Sequence, residues 1–372
     1  MQLEVSTQAL SKLLSLTTTI VEKRNTMPIL ANVKLTAQDS NLQVTATDLE
    51  VSFQGSAEAT IKTPGSITVN ARFLFEIVRE LPAPTVTLKA QKGERLEIES
   101  GASHFKINGI SSDEFPSIMG TNAKTLFSLD ANGIVQAIDK TIYAVSSDET
   151  RYNLTGVFLE TVDSDKTLRF VATDGHRLAV VDRPSQGMTS PKKGVIVPRK
   201  GILELKKILE GNEGACQLGL DEGFLTVKSG NLTLGIRLID GEFPDYRQVI
   251  PNEVKTTIKV AKEDFLAAVR RTSLVTTDKS KSLRVKLAQG QMSFTSQSSE
   301  FGEAEESIPV EIDGEEISVA FSARYLMEML TAMGKTESVT AKLNGEWGPG
   351  VFATDSGEDY TCVIMPMRFD AE

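Results

Sequence analysis

The sequence predicts an α+β chain made of three copies of one domain, each with two helices packed on antiparallel sheets. Two observations carry this: markers that recur at a long, nearly constant period, and amphipathic stretches set between β-branched runs joined by short turns. The segment Leu42-Gln-Val-Thr-Ala-Thr-Asp48 returns as Leu168-Arg-Phe-Val-Ala-Thr-Asp174, 126 positions on, and in degraded form as Met292-Ser-Phe-Thr-Ser-Gln-Ser298 after another 124. Ile67-Thr-Val-Asn-Ala-Arg-Phe-Leu-Phe-Glu76 returns as Val195-Ile-Val-Pro-Arg-Lys-Gly-Ile-Leu-Glu204 and as Val319-Ala-Phe-Ser-Ala-Arg-Tyr-Leu-Met-Glu328, at spacings of 128 and 124. Asp113-Glu-Phe-Pro116 matches Asp240-Gly-Glu-Phe-Pro244. Markers that keep one period predict domains at 1–121, 122–252 and 253–372, divided at the polar, turn-rich stretches 120–123 and 251–254.

Each copy opens with an amphipathic helix. In the first, Ser6 is the expected cap and Leu10, Leu13, Leu14 and Val21 share a face. The counterparts carry Ile134, Ala137, Ile138 and Val145 after Asp130, and Phe265, Ala268 and Val269 after Ala261. Strands follow at 41–47 and 166–173, on alternation and β-branched content. A strand then runs straight into a second helix at 72–81, 200–209 and 324–333. Further strands close the unit, in the first copy at 85–89, 96–100 and 104–109.

Composition narrows the function. At 372 residues and 40% hydrophobic the chain can bury more than one core, with Leu, Ile and Val rather than aromatics (6%) filling it. No apolar run approaches the ~20 residues a membrane helix needs, and no basic-then-apolar leader opens the chain, so a cytoplasmic protein without a membrane partner is expected. Cys216 and Cys362 stand far apart with no second Cys or His beside either, which predicts buried free thiols and no metal site. Asn153-Leu-Thr155 and Asn231-Leu-Thr233 match the glycosylation pattern but lack the secretion signal that would give it meaning.

The net charge of −10 argues against an ordinary nucleic-acid binder, which holds phosphates with surplus Lys and Arg. Its distribution is uneven. The six predicted helices sum to +3, leaving −13 for strands and loops, and each second helix begins with a base at the same repeat position: Arg72, Lys200 and Arg324. Mixed charge on a surface helix often serves only local pairs. Repeated three times along an arc, however, it would place helices on an inner wall and acidic sheets outside, a field that favours a polyanion in the hole.

Thr173-Asp-Gly-His-Arg-Leu178, Val197-Pro-Arg-Lys-Gly201, Phe243-Pro-Asp-Tyr246, Met365-Pro-Met-Arg368 and Thr26-Met-Pro-Ile-Leu30 together resemble the bacterial β sliding clamp of DNA replication. The resemblance spans essentially the whole chain, and the ordered set is specific where each motif alone is weak. It implies that the chain is half of a closed ring: a head-to-tail homodimer around duplex DNA. Such a ring makes the replicative DNA polymerase processive and is opened by an ATP-driven clamp loader. Closing two identical arcs needs a heterologous contact. The resemblance assigns Phe105 and Ile107 to one side of it and Leu274 and Val275 to the other, with the acidic run Glu303, Glu305 and Glu306 pairing with nearby bases. A solution mass of about 81 kDa, twice 40.4, is expected.

The same resemblance assigns Lys12, Arg24, Arg72, Arg151, Tyr152, Arg199 and Lys200 to the DNA side, touching phosphates loosely and without reading sequence. It places a partner-peptide pocket at Leu154, Thr173, Gly175, His176, Arg177, Leu178, Pro244 and Val249, with Tyr325, Val363, Met365, Pro366, Met367 and Arg368. Polymerases and repair proteins would insert a short motif with Gln at one end and Leu/Phe at the other. Taken alone, Met-Pro-Met near a chain end reads as a frayed strand, and His176 as a structural histidine. The sequence departs from the family at Ser280 and Gln248, where a Phe and an Arg are expected, at Ser322 for an Asn, and at Asn153 for a second Tyr; beyond Arg368 the chain continues Phe369-Asp-Ala-Glu372, which is expected to overhang the pocket.

Two rival classes compete. An enzyme could use His176 beside Asp174, yet Asp174 recurs as Asp48 in a copy without the His, which points to a turn role. Gly-x-Ser-x-Gly, Walker A, Gly-x-Gly-x-x-Gly and His-Glu-x-x-His patterns are absent, and only two histidines exist, so no catalytic residues and no cofactor are expected. A repeat-built adaptor that never meets DNA is the second rival.

Overall fold

A computed structural model describes residues 1–21, 27–121, 123, 126–164, 166–185, 194–212, 214–221, 223–251, 253–276, 282–355 and 360–367. Arg24, Thr26, Ser280, Arg368 and the tail 369–372 lie outside the described residues. The chain forms two compact units, Met1–Val135 with Lys200–Ile239, and Gln136–Arg199 with Asp240–Glu372.

The first unit holds a twelve-strand sheet. Its order is Gln2–Ser6, Thr85–Gln91, Arg95–Ser100, Ser103–Ile110, Gly65–Asn70, Asn32–Gln38, Asn41–Thr47, Val51–Thr63, Leu232–Arg237, Phe224–Ser229, Ala215–Asp221 and Phe127–Asp130. The second unit holds two sheets. One runs Val195–Pro198, Gly156–Val162, Thr167–Thr173, Arg177–Pro184, Tyr360–Ile364, Gly350–Thr354, Ser338–Leu343, Thr256–Ala261 and Glu311–Gly314; the other runs Gly302–Pro309, Gln291–Ser298, Ser282–Ala288 and Ile317–Ser322. Neighbours pair antiparallel, as an α+β chain of hairpins requires.

Repeats are joined by strand pairing. In the first unit Leu232–Arg237 of the second copy pairs with Val51–Thr63 of the first, Leu234 opposite Phe53. In the second unit Tyr360–Ile364 of the third copy pairs with Arg177–Pro184 of the second, Cys362 opposite Ala179. The same pair of strands, counted within the repeat, therefore makes both junctions.

The first helices are α1 (Thr7–Thr17), α3 (Ala131–Thr141) and α5 (Lys262–Thr272); the second helices are α2 (Ala71–Arg79), α4 (Arg199–Leu209) and α6 (Ala323–Ala332). Ser6 caps α1 as expected, accepting from Ala9 N, and Asp130 accepts from Gly133 N at 2.6 Å. The α1 apolar face is shorter than the sequence suggests. Every first helix ends at a buried threonine whose hydroxyl donates back one turn: Thr17 to Leu14 O, Thr141 to Ala137 O and Thr272 to Ala268 O, at 2.7, 2.8 and 2.7 Å. A β-branched residue that bonds the preceding turn competes with helix propagation. Val21 and Val145 accordingly lie past the helix ends, though both are buried.

The second helices start where the strand before them ends, as the sequence predicts. Asn70 and Ser322 accept from the third backbone N–H at 3.0 and 3.4 Å, so Ser322 serves as an N-cap where the resemblance leads one to expect an Asn. Both cysteines are buried free thiols. Burial pushes each thiol up to about 11, which keeps them protonated and inert at neutral pH.

Candidate functional site

In the second unit, strand Thr167–Thr173 ends in the turn Thr173-Asp174-Gly175-His176. Asp174 Oδ1 accepts from His176 N (2.9 Å) and Arg177 N (3.1 Å), and Thr173 Oγ1 donates to Arg177 O (2.6 Å). Gly175 has φ +88°, and a Cβ there would stand 2.8 Å from Arg151 Nη1, so glycine lets the turn close without displacing that guanidinium; Leu49, at the same place in the first copy, also has a positive φ, 78°. Asp174 thus builds a turn; it holds the His176 backbone rather than orienting its ring. In the first unit Asp48 does the same for Glu50 N (2.9 Å) and Val51 N (2.6 Å). Ser298 repeats it with a hydroxyl toward Glu300 N and Phe301 N, at 3.2 and 3.4 Å.

Arg177 is the hub of the site. Its side chain is 8% exposed, and Nε donates to Asp174 Oδ2 at 3.0 Å. Nη1 pairs with Glu328 on α6, Nη2 bonds Tyr143 O, and the guanidinium lies over the Tyr325 ring at 4.3 Å and the Tyr143 ring at 5.1 Å. Beside it, Leu178 sits opposite Val363 in the strand pair, and His176 O accepts from Met365 N at 2.8 Å. Met365 and Met367 are each 36% exposed, with Met367 N anchored on Ala320 O at 2.8 Å. Leu154 and Thr173 are buried, while Gly175 and His176 are exposed.

Pro244 and Val249 are exposed on a separate loop. Phe243 stacks on Phe158 at 4.8 Å; Tyr246 donates to Glu160 at 2.5 Å, and Arg247 to the same oxygen at 2.6 Å. Burial and this bond to a carboxylate push the Tyr246 phenol up to about 12, so it remains a donor. Asn153, next to Leu154, ties the loop by donating to Glu242 O at 2.9 Å. The Asn that replaces an expected Tyr is thereby an anchor. Gln248 donates to Asp245 Oδ2 at 3.1 Å.

The described residues assigned to the DNA side divide into two kinds. Lys12, Arg151, Tyr152 and Arg199 are exposed. Arg151 is held by Asp148 Oδ2 (3.0 Å) and Asp174 O (2.9 Å), and Arg199 by Ile142 O (3.1 Å), which fixes their bases without hiding them. Arg72 and Lys200 are half-buried: Arg72 Nη2 reaches Val21 O at 3.5 Å, and Lys200 reaches Ile20 O at 3.2 Å and pairs with Asp48. Their charge is partly used by the fold.

Sequence reasoning did not single out Glu328, Tyr143 or the Asp48–Lys200 pair. One signal was available, because every copy of the second marker ends in Glu. Glu204 accepts from Thr19 Oγ1 at 3.0 Å, and Glu328 binds Arg177. Burial pushes the Glu204 carboxyl up, with Thr19, Lys207 and Lys200 pulling it back. Glu76, the third member, is exposed.

The structure thus shows repeated domains joined strand to strand, with Met365, Pro366 and Met367 next to a locked arginine. Comparison identifies the family. Models of the DNA polymerase III beta subunit match in order, the N-terminal domain over 1–119, the central domain over 128–245 and the C-terminal domain over 247–368. The beta sliding clamp of Caulobacter vibrioides is 35% identical over 88% of this chain and 90% of its own; that of Pseudomonas putida is 33% identical over 99% and 100%. The solved DNA polymerase III subunit beta from Pseudomonas aeruginosa superposes with a TM-score of 0.94 at 32% identity over 99% of this chain and 100% of its own. The sliding clamp structure from Bacillus subtilis gives 0.94 at 29% over 99% of each. The chain belongs to the DNA polymerase III beta subunit family, the bacterial sliding clamps. It is a clamp subunit and not an enzyme, and no described helix is long and apolar enough to cross a membrane.

Proposed function

We propose that two copies close head to tail into a cytoplasmic ring around duplex DNA, each copy contributing domains 1–121, 122–252 and 253–372. The ring tethers the replicative polymerase and is loaded by an ATP-driven clamp loader. One observation carries the reading: each copy contains two junctions made by the same strand pair and one set of the same edges left open. Among the described residues, Gly302–Pro309 is a sheet edge, and Ser103–Asn108 has a partner on one side only. Where Leu234 and Cys362 are fully covered at the internal junctions, their counterpart Phe105 is 38% exposed. Ile107 is already buried, Val275 is half-buried and Leu274 is 80% exposed. A second copy supplies both missing neighbours.

Loaded on nicked circular duplex, the ring is expected to stay bound as salt rises from about 50 to 200 mM and to leave once the circle is cut. An open phosphate binder would lose roughly 10³–10⁵ in affinity over that range. Equal loss from circular and linear DNA sinks the ring; binding to neither favours the adaptor. Lys12, Arg24, Arg72, Arg151, Tyr152, Arg199 and Lys200 would meet phosphates only loosely, as sliding requires.

The surface around Arg177 is read as the dock for short peptides of polymerases and repair proteins, with Met365 and Met367 adapting to different apolar anchors. His176→Ala is expected to weaken such a peptide about tenfold. The Met365 bond is to the His176 backbone, so the fold survives the change. Unchanged affinity by fluorescence anisotropy would remove His176 from the dock.

A further inference from the structure

The internal junctions also fix how the open edges must meet, residue by residue. In the first copy the hairpin Ile98-Glu99-Ser100-Gly101 leads into Ser103–Ile110; in the second, Val227-Lys228-Ser229-Gly230 leads into Leu232–Arg237. Both hairpin glycines have φ +57°, and Ile98 faces Phe105 as Val227 faces Leu234. Hence His104, Phe105 and Lys106 occupy the places of Thr233, Leu234 and Gly235. On the other side, the turns at Asp48, Asp174 and Ser298 are followed by the pairs Thr47–Ser52, Thr173–Leu178 and Gln297–Glu303. Glu303, Ala304 and Glu305 therefore occupy the places of Ser52, Phe53 and Gln54.

The registers Thr233–Gln54, Leu234–Phe53 and Gly235–Ser52 in one unit, and Thr361–Val180, Cys362–Ala179 and Val363–Leu178 in the other, agree. Carried to the open edges, both put Phe105 opposite Ala304, Lys106 opposite Glu303 and His104 opposite Glu305. We infer that closing this junction takes up a proton on His104, which the second copy's Glu305 holds, so that ring closure tightens as pH falls through the histidine range. The inference rests on the homodimer reading above.

Two carboxylates already stand beside His104. Nε2 is 2.9 Å from Glu97 and Nδ1 3.7 Å from Glu99, both on the neighbouring strand Arg95–Ser100. Lys106 on its own strand and Lys89 on Thr85–Gln91 oppose it, but both approach Glu97, at 3.3 and 3.8 Å. Burial raises the Glu97 carboxyl, yet its bonds to Lys106 and Gln91 and the field of His104 outweigh that and lower it, so it is ionised at neutral pH. The incoming edge adds Glu305 at His104 and Glu303 at Lys106, both exposed and with no base of their own strand between them. Closure thus raises the number of carboxylates at the imidazole from two to three. The closed form binds the proton more tightly than the open one, and by linkage the contribution is present below the histidine range and lost above it. The same cations at Glu97 argue against Glu97, Glu99 and His104 as a metal site.

The full chain, studied by sedimentation at pH 6 and pH 8, is expected to show a dimer dissociation constant about three- to tenfold lower at the acid end, a cross-strand charge pair acting at two junctions per ring. His104→Gln and Glu305→Gln should each flatten that difference, and His104→Lys should keep the tight value at both pH values. Lys106→Glu should weaken the dimer, and adding Glu303→Lys in the same chain should restore it, which tests the register. A dissociation constant identical at both pH values, or a pH response that survives His104→Gln, overturns the inference while leaving the dimer intact. A chain that stays monomeric at micromolar concentration overturns the dimer reading itself.

Discussion

Arg177→Ala is expected to destabilise the second unit by about 3–5 kcal/mol, the cost of leaving a buried ion partner uncompensated. The guanidinium serves five groups at once. Removing it strands Asp174, whose side chain is 14% exposed, and leaves Tyr143 O without its donor. It also removes the cation between the Tyr325 and Tyr143 rings, a contact worth roughly 0.5–2 kcal/mol. Glu328 is 38% exposed and will recover solvent, which holds the loss to the lower part of the range. Lys at this position keeps charge but not the planar fork, and should recover less than half of the loss. Hydrogen exchange in rising urea at Thr167–Thr173 and Arg177–Pro184, strands of the second unit, reads this transition separately from the first unit. A midpoint unmoved by Arg177→Ala would mean that the hub is ornamental to stability.

If two copies close into the proposed ring, Leu274→Asp is expected to convert that dimer to monomer without touching the monomer's own stability. Leu274 stands two residues past the threonine that ends α5; its counterparts past α1 and α3 are Thr19 and Tyr143, which meet Glu204 on α4 and Arg177 beside α6. At 80% exposed it has nothing to lose within its own chain. Burying a leucine contributes about 2 kcal/mol per junction, and a ring has two, so the dissociation constant should rise roughly 10³-fold at 1.4 kcal/mol per decade. Sedimentation velocity gives the mass and circular dichroism the melt. A dimer that persists with Asp at this position would place ring closure elsewhere.

The sequence displayed the repeat because turn chemistry and capping leave letters behind. An Asx turn needs an acceptor at a fixed place, so Asp48 and Asp174 align by eye, and even the degraded copy keeps the acceptor as Ser298. Strand 41–47 was legible to the residue because its alternation ends at that turn. Helix ends were less so. The apolar period ran on to Val21 and Val145, while the hydroxyls of Thr17 and Thr141 stopped the helices first. Long-range partners left no local trace: Asp48 and Lys200 are 152 positions apart, and Arg177 and Glu328 151. The Met365-Pro-Met motif was legible as a motif, but the ties of Arg177 to Asp174, Glu328 and Tyr143 were visible only as one letter in a longer match. Charge counting likewise saw Lys200 as a free base, where the fold gives it a carboxylate.

Because backbone hydrogen bonds join one repeat to the next, the tandem is modular in its spelling and interlocked in its substance. Excising the middle third as a cassette would take Leu232–Arg237 from the edge of Val51–Thr63 and, at the same time, Arg177–Pro184 from the edge of Tyr360–Ile364. Each flanking third would be left with a raw β-edge, the kind of surface on which chains aggregate. Shuffling or deleting such thirds therefore demands cuts that follow the sheets and not the period of the text.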